Sequence, residues 1–72
     1  MTAAASTIGV TLNGSAVRLP DATTIADVIE RLGVRGRYAV EINGMIVPRS
    51  AHPLHTLKHG DRVEVVAAIG GG

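Results

Sequence analysis

From Thr7 to Leu12 hydrophobic and polar positions alternate, with Ile8, Val10 and Leu12 on one side and Thr7, Gly9 and Thr11 on the other. A period of two predicts a half-buried strand. Asn13-Gly14 follows, a two-residue hairpin signal, because both central positions of a type I′ turn need positive φ. Ala16 to Leu19 returns as a second strand, which Pro20 ends for want of an N–H. Between Thr24 and Leu32 the period changes. Ile25, Val28, Ile29 and Leu32 fall at i, i+3, i+4 and i+7, the buried stripe of a helix. Thr24 suits the N-cap, Asp27 favours the free N–H groups of the first turn, and Gly33 stops the helix.

Tyr38 to Ile42 reads as a third strand, and Asn43-Gly44 turns it into Met45-Ile46-Val47, closed by Pro48. Ser50 to Leu57 has no clear period and contains Pro53. It predicts a loop with a short helical turn, anchored by Leu54 and Leu57. His59-Gly60-Asp61 is a turn, and Arg62 to Ala68 is the last strand. Val63, Val65, Ala67 and Ile69 are expected to face inward, leaving Glu64, Val66 and Ala68 outward. Hairpin, helix, hairpin, loop and strand in that order predict an α+β, β-grasp (ubiquitin-like) fold. It has one mixed sheet of four to five strands, with a single helix across one face. The apolar last strand is central, beside the first and parallel to it. The domain spans 1–69, with a frayed start over 1–6 and a flexible tail over 70–72.

Composition narrows the function. At 72 residues the chain is one small domain near the lower limit for folding alone. It has no Phe or Trp and a single Tyr, so Val, Ile, Leu and Ala must build the core. A net charge of +1, from scattered Lys and Arg, argues against a nucleic-acid partner. Arg31, Arg35 and Arg37 gather at the helix end, where a dipole and solubility role is expected. The absence of cysteine excludes disulfides, thiolate catalysis and Cys-based zinc sites. His52, His55 and His59 do not make a convincing metal set: Pro53 interrupts them, and no carboxylate or thiol joins them nearby. Asp21, Asp27 and Glu30 fit a capped, solvated helix better than acid–base partners. No catalytic constellation emerges, so the chain is not expected to be an enzyme or to bind a cofactor of its own. Met1 to Ser6 has no basic stretch and no long apolar run, so neither a signal peptide nor a bilayer span is expected, and the expected location is cytoplasmic.

Gly70-Gly71-Gly72 is the stretch with most to say about function. Glycine is costly to order and packs nothing, so such a run is either dispensable or selected for slimness. A tail without side chains can thread a narrow channel in another protein and present its α-carboxylate at the far end. Three extended residues reach about 10 Å.

The chain resembles the small sulfur-carrier proteins of thiamine biosynthesis, the ThiS family, over nearly everything after Ser6. The resemblance rests on Thr24-Ile25-Ala26-Asp27-Val28-Ile29, on Asn43-Gly44-Met45-Ile46-Val47-Pro48-Arg49, and on Gly60-Asp61-Arg62-Val63-Glu64-Val65-Val66 leading to the glycines. It implies a co-substrate. An adenylating partner of the ubiquitin-activating type (ThiF-like) would use Mg-ATP to activate the carboxylate of Gly72. A sulfur donor enzyme would then displace AMP to leave a thiocarboxylate. A thiazole synthase (ThiG-like) would take the sulfur into the thiazole ring. Gly70, Gly71 and Gly72 would enter the partners' active sites, and Val66, Ala68, Ile69 and Arg49 would contact the partners. One departure is clear: the family pattern ends in two glycines and this chain in three. If the last were trimmed, Gly71 would bear the carboxylate. Three rivals share the fold: a molybdopterin synthase small subunit, a protein modifier joined through Gly72, and a binding module with no tail chemistry.

Overall fold

The alternating segments form five strands around one short helix. In the computed structural model, which describes residues 6–67, β1 (Thr7–Leu12) and β2 (Ser15–Pro20) make the first hairpin, and α1 (Ile25–Leu32) follows. β3 (Tyr38–Ile42) and β4 (Met45–Ile46) make the second hairpin. A 3-10 turn (Arg49–Ala51) and a loop then lead to β5 (Arg62–Ala67). The sheet order is β2-β1-β5-β3-β4, with β1 and β5 parallel and the other neighbours antiparallel. This is the expected β-grasp arrangement, with the last strand at the centre.

The core is aliphatic throughout. Ile25, Val28 and Ile29 on α1 cover Ile8, Val10, Leu19, Val40, Ile42 and Val63 of the sheet, and Leu57 closes one end. Burying each such side chain is worth roughly 1.5–3 kcal/mol, enough to explain how a chain without Phe or Trp holds together. The first turn of α1 leaves no backbone donor unmet. Thr24 Oγ1 accepts from the Asp27 N–H, and the Asp27 carboxylate accepts from the Thr24 N–H. The N–H groups of Ile25 and Ala26 donate to the carbonyls of His55 and His52. The loop that showed no period therefore caps the helix with its carbonyls. Gly33 ends the helix in the left-handed conformation.

Several details differ from the sequence pattern. Leu54, expected as an anchor, is 83% exposed. Leu57, the other expected anchor, is buried at 2%, and the 3-10 turn and its continuation point His52 inward in place of Leu54, with His52 only 4% exposed. Leu32, the last residue of the helical stripe, lies 43% exposed at the helix end. Ala67 shares the inward side of β5 with Val63 and Val65 but is exposed, because the core stops short of it. β4 ends at Ile46, although the Val47 N–H still donates to the Val40 carbonyl. Ala68 and Ile69 lie outside the described residues, as do the expected frayed start up to Ala5 and the glycine tail.

Both Asn-Gly turns do more than reverse the chain. Asn13 and Asn43 take positive φ (49° and 52°), as the turn type requires. Their carboxamides then reach the central strand: Asn13 Oδ1 accepts from the Val65 N–H, and Asn43 Oδ1 from the Arg62 N–H, both at 2.8 Å. Asn43 Nδ2 also donates to Asp61, whose other oxygen accepts from the Lys58 N–H. Asn13→Gly and Asn43→Gly preserve the turn conformation and remove these side-chain bonds, with glycine's extra chain entropy adding to the loss. Each is expected to lower the unfolding free energy by about 0.5–1.5 kcal/mol in urea titrations. Unchanged or raised stability would show that the asparagines serve the turns alone.

Candidate functional site

The site is built on β5 because it is the strand that runs into residues 68–72. On one side it pairs with β3 along its length, ending with Tyr38 opposite Ala67. On the other it pairs with β1 only at Thr11–Arg62 and Leu12–Val63. The upper part of β5 therefore extends past the tip of the first hairpin, held at Val65 by Asn13.

α1 covers one face of the sheet; among the described residues no helix covers the other, where the His59 ring lies against Gly9. On that outer face Val66 stands opposite Ala39, Glu64 opposite Glu41, and Glu41 opposite Ile46. Val66 is 58% exposed. Gly9 and Thr11 share this face on β1, both half-buried. Glu41 and Glu64 face each other directly, a like-charge pairing that weakens the sheet slightly. The outer face thus carries exposed Val66 at the C-terminal end of β5, the two glutamates at its centre, and Arg62 and Arg18 further along the same side.

Arg49 lies near the C-terminal end of β5, over Tyr38, the residue paired with Ala67. Its guanidinium carbon lies 4.5 Å from the centroid of the Tyr38 ring, within cation–π range. Among the described residues it has no carboxylate partner. Beneath it, the Tyr38 and His52 rings are 5.9 Å apart and tilted by 31°. His52 Nε2 lies 3.0 Å from the Val47 carbonyl, which fixes Nε2–H as the donor. Nδ1 is left buried with no partner among the described residues. A stacked guanidinium beside the strand end was not legible in the sequence, since Arg49 and Tyr38 lie in different elements.

The histidines do not converge. Among the described residues no group of three or more His, Asp or Glu side chains is placed to hold a metal ion. His59 serves the packing of the sheet, because its Nδ1 accepts from the Gly9 N–H at 2.9 Å and the Gly60 N–H donates to the Gly9 carbonyl. A Cβ at position 9 would lie 3.3 Å from the His59 ring. Gly9 therefore lets the turn before β5 sit close against β1. A second exposed apolar group, Met45 (73%), Ile46 (68%) and Leu54, lies at the far edge of the sheet. No helix among the described residues is long and apolar enough to cross a membrane.

The family model for the ThiS family matches residues 10–72. The chain belongs to the ThiS family. The crystal structure of the thiamine biosynthesis protein ThiS from Geobacter metallireducens superposes with a TM-score of 0.75 at 29% identity. It covers 90% of this chain and 100% of that one. A thiazole synthase from Paramagnetospirillum magneticum is 39% identical over 62 residues, which are 85% of this chain and 19% of that protein. The chain thus spans about a fifth of the length of that relative.

Of the residues expected to meet partners, Val66 and Arg49 are both exposed and both near the end of β5, one on the outer face and one at the rim. Ala68, Ile69, Gly70, Gly71 and Gly72 fall outside the described residues. Because Val66 packs against little, Val66→Asp is expected to change the unfolding free energy by no more than about 1 kcal/mol. A larger loss in denaturant titration would make Val66 part of the packing and not a free docking residue.

Proposed function

We propose that this ThiS-family chain is a sulfur carrier in thiamine biosynthesis, acting in the cytoplasm as a co-substrate with no catalysis of its own. The observation that carries the reading is the family match extending through residue 72, over a central strand that leads directly to Gly70-Gly71-Gly72. A ubiquitin-activating-type enzyme (ThiF-like) would take the tail and let the Gly72 carboxylate attack the α-phosphorus of Mg-ATP. Pyrophosphate leaves and an acyl adenylate forms. A sulfide-level nucleophile from a sulfur donor enzyme then attacks the acyl carbon. The bond to the phosphate oxygen breaks, AMP departs, and a thiocarboxylate remains.

That sequence makes chemical sense. A carboxylate is a poor electrophile, and the mixed anhydride supplies the leaving group it lacks. The thiocarboxylate stays ionised at neutral pH and is nucleophilic, as thiolates are compared with thiols. The likeness to a thiazole synthase supports an enzyme of that kind (ThiG-like) as the sulfur acceptor. Mg-ATP belongs to the activating partner, and the carrier needs no resident cofactor.

In this reading the outer face around Val66 docks the partners, and Arg49, held by Tyr38, meets an acidic group beside the tail channel. Removing Gly71 and Gly72 is expected to abolish sulfur transfer in a reconstituted thiazole synthesis, with no change in thermal midpoint. Val66→Asp is expected to weaken binding to the adenylating enzyme at least about tenfold, roughly 1.4 kcal/mol. Full transfer by the truncated chain would contradict the tail chemistry. Unchanged affinity of the Val66 variant would move the docking face elsewhere.

A further inference from the structure

The backbone of β5 carries an unfinished ladder. Its even-numbered residues bond to β3, as the Asn43 N–H to the Arg62 carbonyl shows. Its odd-numbered residues therefore turn their amides toward β1. On that side the Thr11 N–H reaches the Asp61 carbonyl, and the Asn13 N–H reaches the Val63 carbonyl at 2.9 Å. Asn13 Oδ1 then takes the Val65 N–H. The next rung is the Val65 carbonyl with the Ala67 N–H. The hairpin has turned away by that point, and neither group has a hydrogen-bond partner among the described residues.

We infer that this rung is a strand-addition site, filled by an extended backbone segment of the adenylating enzyme that receives the tail. The inference rests on the carrier reading. Continuity of the chain supports it: Ala67 lies three residues before Gly70 in the sequence, so a protein that takes hold of the terminal glycines comes close to this edge. One partner residue in parallel register closes both bonds, just as Asn13 bridges the Val63 carbonyl and the Val65 N–H below. Main-chain bonding of this kind does not depend on the partner's side chains and gives extended docking with little sequence demand. It also covers an edge that would otherwise stay open to nonspecific pairing. The edge offers a single rung beside an exposed Val66, which suits a local clamp at the tail root better than a long intermolecular sheet.

The test is amide exchange by NMR on the labelled carrier, alone and with the adenylating enzyme and Mg-ATP, with intact mass followed in the same samples once a sulfur donor is added. The Ala67 N–H is expected to slow at least about tenfold in the complex. The Val66 N–H, already bonded to β3, should change far less. Ala67→Pro removes the open N–H without touching the β3 ladder, and is expected to weaken binding about 3- to 10-fold, the scale of one hydrogen bond. If that variant does not fold, the exchange measurement decides alone. Unchanged Ala67 exchange in a complex that still converts Gly72 to the thiocarboxylate would overturn the inference and leave the carrier reading standing. Absence of both binding and mass gain would overturn both. Protection of Ala67 in the carrier alone, lost on dilution, would assign the edge to a second copy of the chain and also overturn it.

Discussion

The structure depends on how β5 is held. It is the last strand in sequence and the middle strand in space, so its position must be fixed by contacts with segments made much earlier. Two asparagine carboxamides supply part of that fixing, one from each hairpin turn. Each bonds to a strand N–H at 2.8 Å, and Asn43 extends the grip to Asp61 and so to the turn before the strand. A residue that tolerates positive φ and also carries an amide can shape a turn and reach across it. Burial of Val63 in the core, and the packing of half-buried Val65 beside Val40, complete the hold from the helix side.

That hold lets a small domain carry a function outside its own packing. The core uses one face of the sheet, and the helix and the 49–57 loop close it, with loop carbonyls meeting the first helical donors. The opposite face, the rim with Arg49 and the upper edge of β5 take no part in that core. All three lie around the end of the same strand. The proposed carrier role would use that division, with the folded body recognised by partners and residues 70–72 as the part that is acted on.

Much of this is legible in the sequence. The period of two, the switch to 3.6 and the two Asn-Gly pairs locate every strand and the helix, because each signal is local. The central parallel placement of β5 follows from its apolar character and the topological rules, and alternation alone turns Val66 outward. What escapes is non-local or depends on direction. Leu54 looks like an anchor by composition, but the turn geometry from Arg49 onward gives the inner position to His52. The pattern shows Asn13 and Asn43 only as turn formers, since their bonds to Val65 and Arg62 span 52 and 19 residues. Nothing in the spacing of Arg49 and Tyr38 shows their stacking, and a missing rung is visible only once the register of β1 against β5 is known.

The central claim is that the domain exists to present the Gly72 carboxylate for activation and sulfur loading. Intact-protein mass spectrometry tests this most directly, after incubation with Mg-ATP, the host's adenylating enzyme and a sulfur donor. The expected result is a mass gain matching one oxygen replaced by sulfur, localised to Gly72. An unchanged mass with a demonstrably active enzyme would contradict the claim and leave a β-grasp binding module.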